Sequence, residues 1–167
     1  MIKRSSDVTY GEVFCSPTYR YASWTGCILQ VFDQLTGILV IIFYSNLLFR
    51  GLEVSPTSIT ALIGVVNFVA AIISIFLLMC LGRKTLILYF NGCMSVDLLL
   101  LSYFSFQKNT IGMIVCVLLF IVFFQFSMGT VNWIYIAETM HEKALGVAVS
   151  IIWFGSLAIS ISVPLLL

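Results

Sequence analysis

The sequence predicts an all-α membrane protein of about five transmembrane helices, and three observations carry that prediction. Of the 167 residues, 61% are hydrophobic and 9% charged, with a mean hydropathy of +1.13. A soluble domain places charge on about a quarter of its residues. The 8 Lys+Arg and 7 Asp+Glu are gathered into short clusters between long apolar runs. Five of those runs reach the ~20 residues that a helix needs to cross a bilayer.

Residues 1–22 form a polar segment containing Asp7, Glu12 and Arg20, without the apolar stretch of a signal peptide. The transmembrane domain, residues 23–167, divides as follows. The first span covers about 23–49 and is interrupted mainly by Asp33; the turn Arg50-Gly51-Leu52-Glu53 follows. The second covers about 56–81, with Pro56 at a first helical position, where its missing N–H costs nothing. Arg83-Lys84 ends it. The third, about 85–106, carries one acid, Asp97, and leads into a turn at Gln107-Lys108-Asn109. The fourth covers about 110–137, and Glu138–Lys143 is read as a charged connection. The fifth covers about 144–167.

The basic residues orient these spans, because Lys and Arg concentrate on the cytoplasmic side. With the N-terminus cytoplasmic, the inner segments hold Lys3, Arg4, Arg20, Arg83, Lys84 and Lys143, against Arg50 and Lys108 outside. A net charge of +1 makes nucleic acid an implausible partner. The five cysteines, Cys15, Cys27, Cys80, Cys93 and Cys116, show no metal-ligand spacing and read as small hydrophobes. Glu138-x-x-His141 has the spacing of di-iron bundles, but one copy without a second set reads as a membrane boundary. No nucleophile–base pair or metal set points to an enzyme, and no cofactor is implied.

Polar groups are costly in lipid, so the polar faces of the spans are where function is sought. In the first span Gln30, Asp33, Gln34, Gly37, Tyr44 and Ser45 fall on one face of a continuous helix. An ionised Asp near mid-helix costs about 2.5–3.5 kcal/mol on insertion scales. Two glutamines beside it exceed what packing requires, and a water-filled cavity or a polar solute path is the better account. Asp33 is the acid expected to titrate in function. The second span carries Thr60, Gly64, Asn67, Ala71 and Ser74; the fifth carries Ser156 and Ser160, with Trp153 and Pro164 on a similar face. Both stripes read first as helix packing through small residues and hydroxyls. The fourth carries Gln125, Gly129 and Asn132 beside Trp133. Asp97 lies off the Asn91, Ser95, Ser102, Ser105 stripe of its own helix, and a structural place for it is favoured over a functional one.

Gln34-Leu35-Thr36-Gly37-Ile38 resembles the QQLTGIN motif that opens the second half of sugar porters of the major facilitator superfamily. Phe43-Tyr44-Ser45 falls where that family has YYS, and Gly82-Arg83-Lys84 resembles its GRR loop. Gly129, Trp133 and Ala137-Glu138 are similar to the skeleton of GPxPWxxxAE, and Gly146 to the glycine after it. The resemblance covers about residues 16–160 and implies helices 7–11 of a twelve-helix major facilitator fold. It implies transport of a sugar or similar small polar solute by alternating access, as a partial, C-terminal-half carrier. The alternative is a non-transporting or degenerate membrane protein that pairs with a full-length transporter; pairing with another half or with itself is the implied protein contact, and the bilayer the surrounding one. The resemblance assigns solute contacts to Gln30, Asp33, Gln34, Asn67, Gln125 and Trp133, facing one shared cavity, and gating or loop roles to Arg83, Lys84 and Glu138. This chain departs from the family pattern at Asp33 for glutamine, Leu39 for asparagine, Thr130 and Asn132 for prolines, and Met79, Cys80 and Leu145 for loop charges.

Overall fold

The computed structural model describes residues 9–42 and 56–166. Tyr44 and Ser45 of the first polar stripe, the Arg50–Glu53 turn, and Lys3 and Arg4 of the basic tally lie outside the described residues. The elements are α1 (Tyr10–Cys15), α2 (Arg20–Leu35), α3 (Pro56–Leu81), α4 (Arg83–Phe106), α5 (Thr110–Phe124), a π-helical turn (Gln125–Gly129), α6 (Thr130–Thr139) and α7 (Glu142–Leu166). Five helical stretches are long and apolar enough to cross a membrane: Arg20–Ile42, Thr60–Leu81, Arg83–Phe106, Thr110–Thr139 and Glu142–Val163. Their outward faces are apolar: Phe68 and Phe76 on α3, Leu99 on α4 and Phe154 on α7 are all exposed, as residues that meet acyl chains should be.

The chain divides into two compact units, residues 1–37 with 132–167 and residues 38–131. In the first unit α2 packs along α7, and α1 packs on both. Its core joins Val13, Cys27, Ile136, Met140, Ala144 and Ala148. Helix α1 was not anticipated from the sequence. Its start is set by Glu12, whose carboxylate accepts the Thr9 N–H at 2.9 Å, the return half of a capping box. It is tied down where the Ser23 hydroxyl donates to the Val13 carbonyl at 3.1 Å. Phe14 lies edge-on to Trp24, and Tyr19 edge-on to His141.

In the second unit α3, α4 and α5 pack on one another, with the π turn against α3 and α4. Its core is Ile38, Ile41, Ile63, Met94, Val117, Phe120 and Ile121. The Gln107-Lys108-Asn109 turn forms as read. The Asn109 N–H returns to the Phe104 carbonyl at 3.0 Å while Lys108 takes φ 54°, and the Asn109 side chain then caps α5 by accepting the Gly112 N–H at 3.2 Å.

Three boundaries differ from the sequence reading. The first span is not a continuous helix. It breaks at Thr36–Gly37, where Gly37 has φ 80° and the Thr36 hydroxyl donates to the Asp33 carbonyl at 2.7 Å; helix resumes over residues 38–42. Arg83 and Lys84 are not a loop but the first turn of α4, because Gly82 alone, at φ 76°, turns the chain between α3 and α4. Glu138 lies in the last turn of α6 and Glu142 and Lys143 in α7, so the charged connection shrinks to Met140–His141.

Positive φ costs a residue with a Cβ about 1–2 kcal/mol. A methyl added at Gly37, Gly82 or Gly64 meets no atom within 4 Å, so space is not at issue. Gly37→Ala and Gly82→Ala are therefore expected to destabilise by about that amount. Gly64→Ala, inside α3 without a positive φ, is expected to be neutral or stabilising. Denaturant titration of the three variants in one detergent measures the contrast.

Candidate functional site

Each of the two units holds polar side chains inside its spans. In the first, α2 turns Gln30, Asp33 and Gln34 inward at i, i+3 and i+4 spacing, and all three are buried. Gln30 is 0% and Asn132 1% exposed, and the Asn132 amide donates to Gln30 Oε1 at 3.1 Å. Gln30 Nε2 and Asn132 Oδ1 are buried without a hydrogen-bond partner, as is Asp33 Oδ1. Gln34 lies against α7, where a Cβ on Gly155 would stand 2.9 Å from its Cγ. The neighbouring Ser156 hydroxyl is 3.4 Å from Gln34 Oε1, but its single hydrogen has a better acceptor in its own helix, the Ile152 carbonyl at 2.8 Å. Gln34 therefore keeps most of its hydrogen-bonding capacity.

Trp133, next to Asn132 in α6, is half-exposed. An indole offers an apolar face and one N–H donor. Trp153, placed with Ser156 and Ser160 by spacing, is exposed and reads as part of the outer face of α7.

In the second unit the π turn organises the cluster. The Gln125 amide donates to Asn67 Oδ1 at 2.6 Å, and the Ser74 hydroxyl donates to the Gln125 main-chain carbonyl at 2.9 Å. Asn67 and Ser74 are two turns apart on α3 and grip one residue from both sides. On the other flank the Ser127 hydroxyl lies 3.2 Å from Asn91 Oδ1 of α4. A π turn carries one extra residue and shifts the helical face, and such turns gather at functional sites. Ser127 was missed in the sequence because it falls off the Gln125, Gly129, Asn132 stripe; the signal that could have found it is its place two turns after Phe120, on the buried face of α5. Ser74 serves the packing role its spacing suggested.

Asp97 is buried, at 3% exposed, with neither carboxylate oxygen hydrogen-bonded and the Cys116 thiol of α5 as its polar neighbour. It lies behind an apolar groove lined by Leu88, Tyr89, Val96, Leu119 and Phe123. The polar stripe of α4 divides: Ser95 is exposed and bonds back to the Asn91 carbonyl, and Ser102 and Ser105 are exposed. Arg83 is half-buried, and Lys84 and Glu138 are exposed at helix ends, away from the mid-span clusters. No group of three metal-ligating side chains occurs among the described residues.

The buried and half-exposed groups inside the spans are amides, hydroxyls, one indole and two acids, Asp33 and Asp97. They suit a neutral polyol, whose hydroxyls both donate and accept, better than an ion of either sign.

The family model described as "Sugar (and other) transporter" matches residues 1–167. The chain is similar to "Solute carrier family 2, facilitated glucose transporter member 2" of Gallus gallus, 32% identical over 155 residues, covering 88% of this chain and 29% of the relative. It is similar to "Facilitated trehalose transporter Tret1" of Bombyx mori, 32% identical over 159 residues, 87% of this chain and 32% of the relative. It is also similar to "Glucose transporter GlcP" of Staphylococcus epidermidis, 34% identical over 155 residues, 84% of this chain and 34% of the relative. The chain thus spans about a third of the length of the curated relatives it matches.

The Gln125–Asn67 bond supplies a direct test of coupling. Asn67→Leu leaves the Gln125 amide without its acceptor and is expected to cost about 1–3 kcal/mol. Asn67→Leu with Gln125→Leu removes both partners and should cost clearly less than the sum of the single changes. Denaturant titration of the four proteins in the cycle reads the coupling; strict additivity would contradict it.

Proposed function

We propose that this chain, which belongs to the sugar transporter family, supplies the solute-contacting helices of a carrier for a sugar or similar small neutral polyol. The observation that supports this most is the set of buried amides with unspent hydrogen-bonding capacity in α2 and α6, Gln30 Nε2 and Asn132 Oδ1. Buried polar groups in a membrane protein are ordinarily paired, and unpaired ones mark a path for something polar. Gln30, Asp33, Gln34 and Trp133 are the proposed contacts in the first unit, and Asn67 and Gln125 in the second. Alternating access, the rocking of two helical bundles about a central site, is the proposed mechanism. Arg83, Lys84 and Glu138, at helix ends, would act in gating through their charge. The relatives named as glucose and trehalose transporters favour a hexose or a hexose-built disaccharide.

Alternating access needs a second bundle, and the described residues provide five helices long and apolar enough to span. Saturable uptake therefore requires a further set of helices, from another polypeptide, from a second copy, or from chain beyond these residues. Reconstitution of the 167-residue chain into liposomes with labelled hexoses and pentoses is expected to give no saturable, stereoselective uptake. Such uptake by this chain alone would overturn the two-bundle requirement.

The basic bias supports a cytoplasmic N-terminus. Lys108, exposed in the turn between α4 and α5, is the outer probe. On a cysteine-free background, Lys108→Cys should be labelled by an impermeant maleimide from outside the cell. Labelling only after the membrane is opened reverses the orientation.

A further inference from the structure

Gln30 and Asn132 meet inside the first unit, each essentially inaccessible. Two planar amides joined by a single N–H···O bond leave one amide nitrogen and one carbonyl oxygen without a partner. Here the remainder is Gln30 Nε2 and Asn132 Oδ1, and the two do not close on each other. Exchanging nitrogen and oxygen on both amides leaves the same complement, so the remainder does not depend on how either amide is oriented. An anion would be repelled by the free carbonyl oxygen, and a cation by the free amide hydrogens. A hydroxyl satisfies both at once, accepting from Gln30 and donating to Asn132.

We infer that Asn132 is a specificity-determining residue, which joins Gln30 to form a two-point receptor for one hydroxyl group of the transported polyol. The inference rests on the proposed solute-path reading. Asn132 stands where the resembled motif has proline, so this receptor belongs to the present chain rather than to the motif. Proline offers neither a side-chain donor nor an acceptor. With Gln30 Oε1 already accepting from Asn132, the unpartnered donor is Gln30 Nε2 and the unpartnered acceptor is Asn132 Oδ1. Removing either residue therefore removes recognition of the same hydroxyl. A neutral hydrogen bond is worth about a threefold to tenfold change in affinity.

The test uses the chain in lipid nanodiscs, with glucose and each of its monodeoxy analogues as probes and intrinsic tryptophan fluorescence as the binding signal. The proteins are wild type, Gln30→Ala, Asn132→Ala and the double variant. Wild type is expected to bind one monodeoxy analogue about threefold to tenfold more weakly than glucose. Asn132→Ala and Gln30→Ala should each abolish that one discrimination and leave the ratios for the other analogues intact, and the double variant should add nothing. Asn132→Ser, a smaller change that keeps a hydroxyl, should show partial discrimination, and it carries the test if the alanine variant does not fold. Asn132 variants that weaken every analogue equally, with all ratios preserved, would show a structural role and overturn the inference. So would a wild type that binds glucose and all monodeoxy analogues alike, the behaviour of a pair that holds only a water. Failure of the wild type to bind any of the sugars overturns the solute-path reading and the inference together, and is distinguished from the other outcomes by the wild-type measurement alone.

Discussion

Hydrocarbon offers no hydrogen bonds, so every polar group carried into the bilayer must be satisfied by the protein or by something that passes through it. This constraint accounts for the two irregular points in the spans. At Thr36–Gly37 the helix breaks, and the Thr36 hydroxyl covers the Asp33 carbonyl. At the π turn the Ser74 hydroxyl, brought in from α3, covers the Gln125 carbonyl. In each case a hydroxyl donates to a main-chain carbonyl at the point where the regular ladder is disturbed. Irregular backbone at membrane depth is tolerated only with such compensation.

The same constraint distinguishes polar side chains that satisfy one another from those that keep an unpaired atom. In the second unit Asn67 and Gln125 spend their amides on each other, and Ser127 reaches Asn91. In the first, Gln30, Asn132 and Asp33 each keep a buried atom unpaired. Stability alone would favour apolar residues at these positions, since an unpaired buried polar atom costs about 1–3 kcal/mol. Three residues with such atoms, Gln30, Asp33 and Asn132, nevertheless lie on α2 and α6. Asp97 is a different case. It lies behind an apolar groove with a thiol beside it, and no second polar group of the described residues is directed at it.

The number of spans was legible because length and apolarity are properties of single helices. So were the inward face of Gln30, Asp33 and Gln34, which follows from 3.6-residue periodicity, and the packing role of Ser74. What was not legible depended on local departures from that period. Gly37 could be read as a motif residue, but its positive φ and the helix break appear only in the backbone. Ser127 lies in the π turn and meets Asn91 of α4, a contact that neither helix shows alone. Gly82 absorbed a whole turn in one residue, so Arg83 and Lys84 became helix rather than loop. Helix α1 was the avoidable miss, since Thr9 and Glu12 carry the spacing of a capping box. The pairing of Gln30 with Asn132, 102 positions apart, could not be read from either helix alone.

The replacement of two motif prolines by Thr130 and Asn132 takes on meaning from these contacts. Proline in a helix interior removes an N–H and frees a carbonyl, which bends the helix and weakens its continuity. This chain places a π turn over Gln125–Gly129, immediately before position 130, and so departs from the regular helical ladder there without proline. With the irregularity supplied by the π turn, position 132 is released from a backbone task and can carry a functional side chain. Asn132 uses that freedom to bond Gln30. The substitution that departs furthest from the motif in chemistry thus adds a polar contact to Gln30, between helices 102 positions apart in sequence.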